Sequence, residues 1–364
     1  MSTPWHILAD DLTGALDTAA AWAKNGEVPV FLDTPDVSAQ VVQVLASGTH
    51  DVPPTELDAR LGPVLDWFTA SGRSYKKIDS LLRGNTFAEI AWLMRSGRFA
   101  GAVLAPAFPE QGRFTAQARH WVTSPHQPYG PRSHEHPESL VQALARVGLE
   151  ARIVSHPAEC LQHPGTVVIP DLLGDADLDE LAHLASQVQA RNWLWCGSAG
   201  LAWALTRTTA TPADPATLPA ACGPGRPLLI TASRHPVLRE QLHSLATHDL
   251  PVDLVDLAES EPLAPVQAQE RLAARMQALI KHRARPPLLA VVGGDTLLAL
   301  CRAAGVRSLQ AGPSPRPGWG RARLCGGPWD GLCCYSRSGA FGPPDDLAAL
   351  LTTLAPAVSK EFMK

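Results

Sequence analysis

The sequence lacks any apolar run long enough to cross a membrane, and its first residues, MSTPWHILADD, lack the basic and apolar segments of a secretory signal. It also lacks an excess of positive charge: the formal net charge is −4, and charged residues make up 18% of the chain. We therefore expect neither a nucleic-acid nor a membrane partner, and we expect a cytoplasmic protein.

Cysteine is scarce, with seven scattered residues and no CxxC pair. This argues against a disulfide framework and against a zinc site, so no metal ligands are predicted. The P-loop, the dinucleotide fingerprint GxGxxG and the nucleophile elbow GxSxG are also absent. The missing fingerprint disfavours a dehydrogenase. A binding test in which NAD(P)H does not bind would exclude that class.

Apolar runs alternate with helical patterns along most of the chain. Residues 5–9 and 28–32 read as strands around a helix at 13–24, and the same alternation continues to about residue 207. A second alternating pattern begins with strands at 228–232 and 288–292. Such alternation is typical of α/β sheets covered by helices on both faces.

A composition break separates the two patterns. Residues 208–226, TTATPADPATLPAACGPGR, are rich in Pro, Ala, Thr and Gly and have no apolar periodicity. We therefore predict an α/β protein of two domains, 1–207 and 227–364, with a linker at 208–226. A second Pro/Gly-rich stretch, 311–320, is predicted to be a loop.

The segment ADDLTGA lies between the first strand and the first helix. Ligands of open α/β sheets bind at the carboxyl ends of strands, where Asp10 and Asp11 stand. Either carboxylate could accept a hydrogen bond or a proton from a substrate hydroxyl. The alternative is that Asp11 or Thr13 only caps the helix, which explains one of these residues more easily than both aspartates.

Two further segments have the residue types of a binding site. In KKIDSLLRGN (76–85), cations at a strand end are suited to a carboxylate, although a solvated charged turn is the alternative. In VVGGDT (291–296), glycines precede a helix, whose first N–H groups favour phosphate. The alternative there is a tight turn capped by Asp295 or Thr296.

The order of these segments is more specific than any one of them. ADDLTGA, KKIDSLLRGN, APAFPEQGR, CGSAGLA, GGDT and SGAFG follow one another along the chain. This order resembles the four-carbon acid sugar kinase family over essentially the whole sequence. The resemblance implies an N-terminal sugar-acid-binding domain, a C-terminal nucleotide-binding domain and a cleft between them. It also implies phosphorylation of the terminal hydroxyl of threonate, erythronate or 3-oxo-tetronate by ATP with Mg²⁺.

The resemblance also implies roles for individual residues. The catalytic pair would be Asp10 and Asp11. The acid would be bound by His50, Lys77, Ile78, Asp79, Ser80 and Arg83. The nucleotide would be bound by Ser233, Gly293, Gly294, Asp295, Thr296 and Gly339.

The chain departs from the family pattern around two of these residues. His50 stands where the family often has an arginine, and the segment around Ser233 differs from the usual Gly-Ser-x-Ser. Histidine would be a weaker, pH-dependent clamp for a carboxylate. A non-catalytic sugar-acid or nucleotide sensor is therefore the alternative function, and a homodimer remains an open expectation.

Overall fold

The computed structural model describes residues 4–35, 42–123, 133–134, 138–207, 225–248, 250–261, 263–314 and 318–354. Its strands are β1 (Trp5–Ala9), β2 (Val28–Phe31), β3 (Val42–Ala46), β4 (Ser74–Lys77), β5 (Gly101–Ala105), β6 (Arg113–Ala116), β7 (Arg119–Val122), β8 (Ser133–His134), β9 (Ala151–Val154), β10 (Val167–Pro170), β11 (Trp193–Gly197), β12 (Leu228–Thr231), β13 (Asp253–Asp256), β14 (Leu289–Val292), β15 (Ser308–Gly312), β16 (Gly320–Cys325) and β17 (Cys333–Arg337).

Helices cover the strands on both faces. They are α1 (Leu12–Trp22), α2 (Leu57–Leu61), α3 (Leu65–Ala70), α4 (Thr86–Arg95), α5 (Leu140–Arg146), α6 (Asp175–Ser186), α7 (Ala199–Arg207), α8 (Pro236–Ala246), α9 (Pro265–His282), α10 (Gly294–Ala303) and α11 (Asp346–Leu354). None of the helices in these described ranges is long and apolar enough to span a bilayer.

The first part of the chain forms an all-parallel sheet in the order β2-β3-β1-β4-β11-β5-β10-β9. Its central strands are buried along their length, as in β4, β5 and β11. Strands covered on both faces are usually continuous apolar runs, as β5 and β11 are, whereas β4 (SYKK) carries two buried lysines. A small antiparallel sheet, β6-β7-β8, lies outside this order.

The second part forms the order β13-β12-β14-β17-β16-β15. The first four of these strands pair in parallel, and β16 pairs antiparallel with both β17 and β15. Strand β15 pairs antiparallel with β2, so the strands of both parts form one sheet within the described residues. An apolar core also crosses this junction, because Ile7 and Val30 belong to the same buried cluster as Val291 and Leu309.

The mixed α/β architecture predicted from the sequence is confirmed. Most of the predicted linker, 208–224, lies outside the described residues, so the domain boundaries stay a prediction. The predicted loop at 311–320 is partly wrong: Gly312 ends β15 and Gly320 begins β16. The hairpin strands are paired through backbone hydrogen bonds that local composition does not reveal.

Candidate active site

The predicted site segments all follow the carboxyl ends of strands. Asp10 follows β1, Ile78 follows β4, Gly293 follows β14 and Ser338 follows β17. In open α/β sheets this is the edge at which ligands bind, since the backbone must turn there and exposes its polar groups. The described segments from both parts of the chain meet around one cavity.

Asp10 is held inside the protein, against His50. His50 Nδ1 lies 2.7 Å from Asp10 Oδ2, and the Asp11 N–H donates to Asp10 Oδ1 at 3.1 Å. Burial alone would raise the pKa of Asp10, but the charges of Lys76 and His50 lower it below its ordinary value. Asp10 is therefore a fixed carboxylate, and its partners leave it little freedom to accept a further proton.

Asp11 combines two roles that the sequence had left as alternatives. It is the N-cap of α1, accepting the Gly14 N–H, and Thr13 Oγ1 donates to it at 3.2 Å. It also faces the second part of the chain, because a Cβ built on Gly294 would lie 3.0 Å from Asp11 Oδ2. Burial and the Asp10 charge raise the pKa of Asp11.

The segment after β4 places cations beside these aspartates. Lys77 Nζ donates to Ile78 O at 2.8 Å and would lie 2.8 Å from a Cβ on Gly14, so it reaches the start of α1. Arg83 and Asp79 form a bidentate ion pair, with an Arg83 Nη2–Asp79 Oδ2 distance of 2.6 Å. This pairing lowers the pKa of Asp79, against the effect of burial, so both groups stay charged.

The turn after β14 leaves the start of α10 open. Gly293, at φ +113°, is the N-cap and has no side chain with which to satisfy the first N–H groups. Thr296 does not cap the helix either, since its Oγ1 accepts the Ala232 N–H at 3.1 Å. The predicted capping by Asp295 or Thr296 is therefore not what the structure has, and this helix start can donate to an anion.

Ser233 and Gly339 complete this side. A Cβ on Gly339 would lie 2.7 Å from Ser233 Oγ, and one on Gly293 would lie 3.8 Å from Ser233 Cβ. Ser233 Oγ also accepts the His235 N–H at 3.2 Å. Glycine is favoured at position 339 by this close approach and at position 293 by its φ of +113°.

A cavity of about 610 Å³ lies between the two parts of the chain. Predicted residues that line it are Asp11, His50, Arg83, Ser233, Gly293, Gly294, Asp295, Thr296 and Gly339. The same cavity has a wall of α9 residues and acidic side chains that sequence reasoning missed, among them Asp51, Glu259, Gln269 and Leu272. Of these four residues, only Asp51 could have been suspected from the sequence, because it directly follows His50.

Two smaller cavities adjoin it through Asp11. One, of about 160 Å³, is lined by Asp10 and His50 together with residues of α9 and α10. The other, of about 20 Å³, is lined by Lys77, Asp79 and Ser80. Ile78 lines none of the three; its side chain is in the apolar core, and only its backbone takes part locally, with its N–H donated to Gly197 O and its carbonyl accepting from Lys77 Nζ.

The titratable groups around the cavity are of two kinds: a histidine with a raised pKa and carboxyl groups with raised pKa values. Although burial opposes it, Asp10 raises the pKa of His50 to about 10, so the ring is a cation at neutral pH. Burial, with the charges of Asp51 and Asp11, raises the pKa of Asp295 to about 6. Burial also raises the pKa of Asp17, beneath the smallest cavity, to about 6. Carboxyl groups with raised pKa values are suited to proton exchange.

The lining of the cavity includes carboxylates that could hold a divalent cation bound to a phosphate ligand. Among the described residues, no three His, Cys, Asp or Glu side chains are grouped to hold a metal ion. Mg²⁺ usually keeps several waters and is bound by one or two carboxylates plus substrate phosphates. Asp11 and Asp295, beside the open start of α10, are the carboxylates available for that.

Comparison with known proteins identifies relatives along the whole chain. A family model described as a sugar-binding N-terminal domain matches residues 5–205. A D-threonate kinase of Bordetella bronchiseptica is 31% identical, and the match covers 94% of this chain and 95% of the relative. A 3-oxo-tetronate kinase of Cupriavidus necator is 27% identical, with 93% of this chain and 94% of the relative covered.

A solved structure shares the fold. The Haemophilus influenzae protein HI1011 superposes with a TM-score of 0.64 and 14% identity, covering 98% of this chain and 100% of the other. The arrangement of strands and helices is therefore common to both proteins.

Proposed function

The chain belongs to the four-carbon acid sugar kinase family, and on this premise we propose that it uses ATP to phosphorylate the terminal hydroxyl of a four-carbon sugar acid. D-threonate is the first acid to test, because the relative matched over 94% of the chain is named a D-threonate kinase. Erythronate and 3-oxo-tetronate are the other members of the proposed class.

One observation carries the proposal. Asp11 lines the large cavity together with the open start of α10, where a Cβ built on Gly294 would lie 3.0 Å from its carboxylate, and it lines the smallest cavity together with Lys77. A group that takes the hydroxyl proton during phosphoryl transfer has to lie within hydrogen-bond reach of the acceptor hydroxyl. Asp11 lines the cavity and would take that position, whereas Asp10 is bound to His50.

The acid side of the cavity supplies charge for a carboxylate. His50 is a cation and lines the cavity, and so does Arg83, although Arg83 also holds Asp79. Lys77 lies nearer the aspartates, in the smallest cavity. These cations would bind the carboxylate end of the sugar acid and direct its terminal hydroxyl towards Asp11.

The nucleotide side supplies backbone donors. The first N–H groups of α10 and the glycine turns at Gly293 and Gly339 would bind the phosphates, as helix starts bind anions in many nucleotide sites. The apolar side chains of α9 and Leu257 would cover the adenine base of ATP. Mg²⁺ bound with ATP would neutralise phosphate charge.

Asp11 would act as the general base. Burial and Asp10 raise its pKa, which brings it closer to the pH at which a base is effective. The substrate hydroxyl oxygen would attack the γ-phosphorus, its proton would pass to Asp11, and ADP would leave. Asp10 would stay ionised and hold His50 in place.

The test is release of ADP from Mg-ATP in the presence of D-threonate, D-erythronate and 3-oxo-tetronates. Release that depends on one acid supports the kinase and names its substrate. Binding of ATP and acid with no ADP release from any of them would contradict it and favour the sensor. The Asp11→Asn variant is the negative control.

A further inference from the structure

A buried polar cluster supports the turn formed by residues 338–343, SGAFGP, from the side away from the cavity. It consists of Arg337, the last residue of β17, Gln241 of α8, Asp346 of α11 and Trp319. All four residues are buried, with at most 6% of their surface exposed. None of them lines any of the three cavities described above, so they can act on a ligand only through the residues that they hold.

Arg337 connects the other three members of the cluster. Its Nη1 donates to Asp346 Oδ2 and its Nη2 to Gln241 Oε1, and the guanidinium carbon lies 4.8 Å from the centroid of the Trp319 ring. Trp319 Nε1 donates to the same Asp346 oxygen at 2.9 Å. Because a guanidinium is planar and always charged, it holds its partners in fixed directions. The oxygen of the Gln241 amide therefore faces Arg337, and its NH₂ group is left to bind elsewhere.

That NH₂ group binds the backbone of the 338–343 turn. Gln241 Nε2 lies 2.9 Å from the carbonyl oxygen of Phe341, 3.1 Å from that of Gly342 and 2.8 Å from that of Pro343. Three consecutive carbonyl groups can approach one nitrogen only where the backbone curls around it, and Gly342, at φ +82°, permits this. A Cβ on Gly342 would lie 2.6 Å from Arg337 Nη1, so the turn packs directly on the cluster.

The same turn contributes backbone to the site. Residues 338–340 line the cavity of about 610 Å³, and Phe341 lines the smallest cavity. The carbonyl oxygen of Arg337 also accepts the Gly293 N–H at 3.0 Å, which connects the cluster to the glycine turn before α10. Both glycine turns to which phosphate binding is assigned above are therefore hydrogen-bonded to Arg337 or to its partner Gln241.

We infer that Gln241 and Arg337 are positioning residues for the nucleotide: they fix the carbonyl groups of residues 341–343 and so hold residues 338–340 in the shape that binds the phosphates of ATP. The nucleotide in this inference rests on the proposed function, whereas the control of the turn by Gln241 does not. The physical reason is preorganisation, since a turn that is ordered on folding does not have to be ordered again on binding. Loss of the cluster should therefore weaken the binding of nucleotide and leave the binding of the sugar acid unchanged.

The experiment uses Gln241→Met and Gln241→Glu. Methionine keeps the volume and removes both the donor and the acceptor, whereas glutamate keeps an acceptor for Arg337 and places an oxygen against the three carbonyl groups. In both variants the Kd and the KM for MgATP should rise roughly 10-fold, because the hydrogen bonds that order the turn are lost. The KM for D-threonate should stay as in the wild type. Calorimetric titration with MgATP and steady-state kinetics give these values.

Hydrogen exchange supplies a readout that needs no ligand. The backbone amides of residues 338–342 should exchange roughly 10-fold faster in both variants, because the turn opens more often. The matched control is Gln43→Met in β3, which removes another buried glutamine, one whose Oε1 accepts the Trp67 Nε1–H at 2.8 Å. Gln43 lines none of the three cavities, so its variant should lose stability while the turn and the MgATP affinity stay as in the wild type.

A folded Gln241→Met protein that binds MgATP as tightly as the wild type would overturn the inference. An equal weakening of MgATP and D-threonate binding would also overturn it, since the whole site would then have loosened. If Gln241→Met does not fold, Gln241→Glu decides in the same way, because it keeps a partner for Arg337. A wild type that binds no MgATP would overturn the proposed function and the nucleotide named here, while faster exchange of the turn would still support its control by Gln241.

Discussion

Asp10 and Asp11 are adjacent in the chain, yet their surroundings give them opposite properties. Asp10 is bonded to His50 and lies near Lys76, which lowers its pKa, whereas burial and the Asp10 charge raise the pKa of Asp11. Two carboxyl groups whose pKa values are driven apart have different roles, as in acid–base pairs generally. At the residue scale, this contrast is the reason why the proposed reaction has Asp11, and not Asp10, take the proton.

We predict that Asp11→Asn lowers kcat by about 10²- to 10⁴-fold, the usual contribution of a general base. Asparagine still caps α1, so the free energy of unfolding should change little. Steady-state kinetics and urea unfolding give the two quantities. The control is Asp66→Asn, which changes an aspartate that is 87% exposed. Near-normal kcat in Asp11→Asn would remove this residue from the chemistry.

His50 gives a prediction about pH and stability. Its pKa is raised from 6.5 to about 10 in the folded state, so its charge stabilises the fold fully below pH 6.5. That stabilisation is lost as pH rises towards 10, by up to ~1.4 kcal/mol per pH unit. The free energy of unfolding of the wild type, relative to His50→Gln, should therefore be smaller at pH 9 than at pH 7. An equal difference at both pH values in urea unfolding would contradict this.

At the scale of elements, the contact between α1 and α10 joins the two sides of the site. Asp11 caps one helix and lies against the first residue of the other, Gly294. Glycine there leaves the first N–H groups of α10 exposed and allows the carboxylate to come close. The sequence showed both helix starts, but it did not show that they face each other.

We predict that Gly294→Ala lowers kcat by roughly 10-fold or more, because the new methyl would lie 3.0 Å from Asp11 Oδ2 and 3.2 Å from Asp11 Cβ. The fold should not suffer, since alanine favours a helix over glycine by up to ~1 kcal/mol. Measurements of kcat and of the melting temperature for the variant and the wild type check this. Gly62→Ala is the matched control, because a Cβ there meets nothing within 4 Å. A fully active Gly294→Ala enzyme would show that the contact has no part in turnover.

At the scale of the whole molecule, the twist of the sheet explains how the two parts can share a site. Along the described sheet, β14 is six strand steps from β1 and runs antiparallel to it by pairing. Adjacent strands rotate by about 20–25°, so six steps add up to roughly 120–150°. A rotation of this size is consistent with the observation that Asp11, after β1, and Gly293, after β14, line the same cavity. Helix α1 packs across this junction, since a Cβ on Gly320 of β16 would lie 2.6 Å from Leu16 Cβ.

An aromatic contact lies beside the smallest cavity, which Phe341 lines. Phe341, after β17, lies with its ring 4.7 Å from the Arg113 guanidinium and 6.5 Å from the Phe108 ring. We predict that Phe341→Ala lowers the free energy of unfolding by roughly 1–3 kcal/mol and raises KM for both substrates. Denaturant unfolding and kinetics measure these effects.

The matched control for this prediction lies within the first part of the chain. Phe99 packs edge-to-face on Phe68 at 6.0 Å, and Phe99→Ala should cost similar stability without changing KM. If Phe341→Ala changed stability alone, the contact would be structural only.

Some of the site could be predicted because its signals are local. Asp10, Asp11, Gly293 and Gly294 stand where a buried apolar run ends and a helix begins, and that change of pattern is visible within a few residues. The hairpin of β15 and β16 could not be predicted in this way, since its register depends on pairing with β2 and β17. Glu89 gave no signal either, because its partner Lys76 is on a different element.

The α/β class and the turns that follow the strands could be predicted from the sequence alone, because apolar periodicity and turn residues act over short distances. The family resemblance came instead from the order of the motifs along the chain. The tertiary structure alone decided that Asp11 meets Gly294, that Lys76 and Glu89 form a buried ion pair, and that Ile78 belongs to the core. These outcomes depend on strand order and sheet twist, which bring together residues far apart in the chain. The pKa of each carboxyl group follows from those neighbours, and so the opposite pKa shifts of Asp10 and Asp11 arise only in the folded protein.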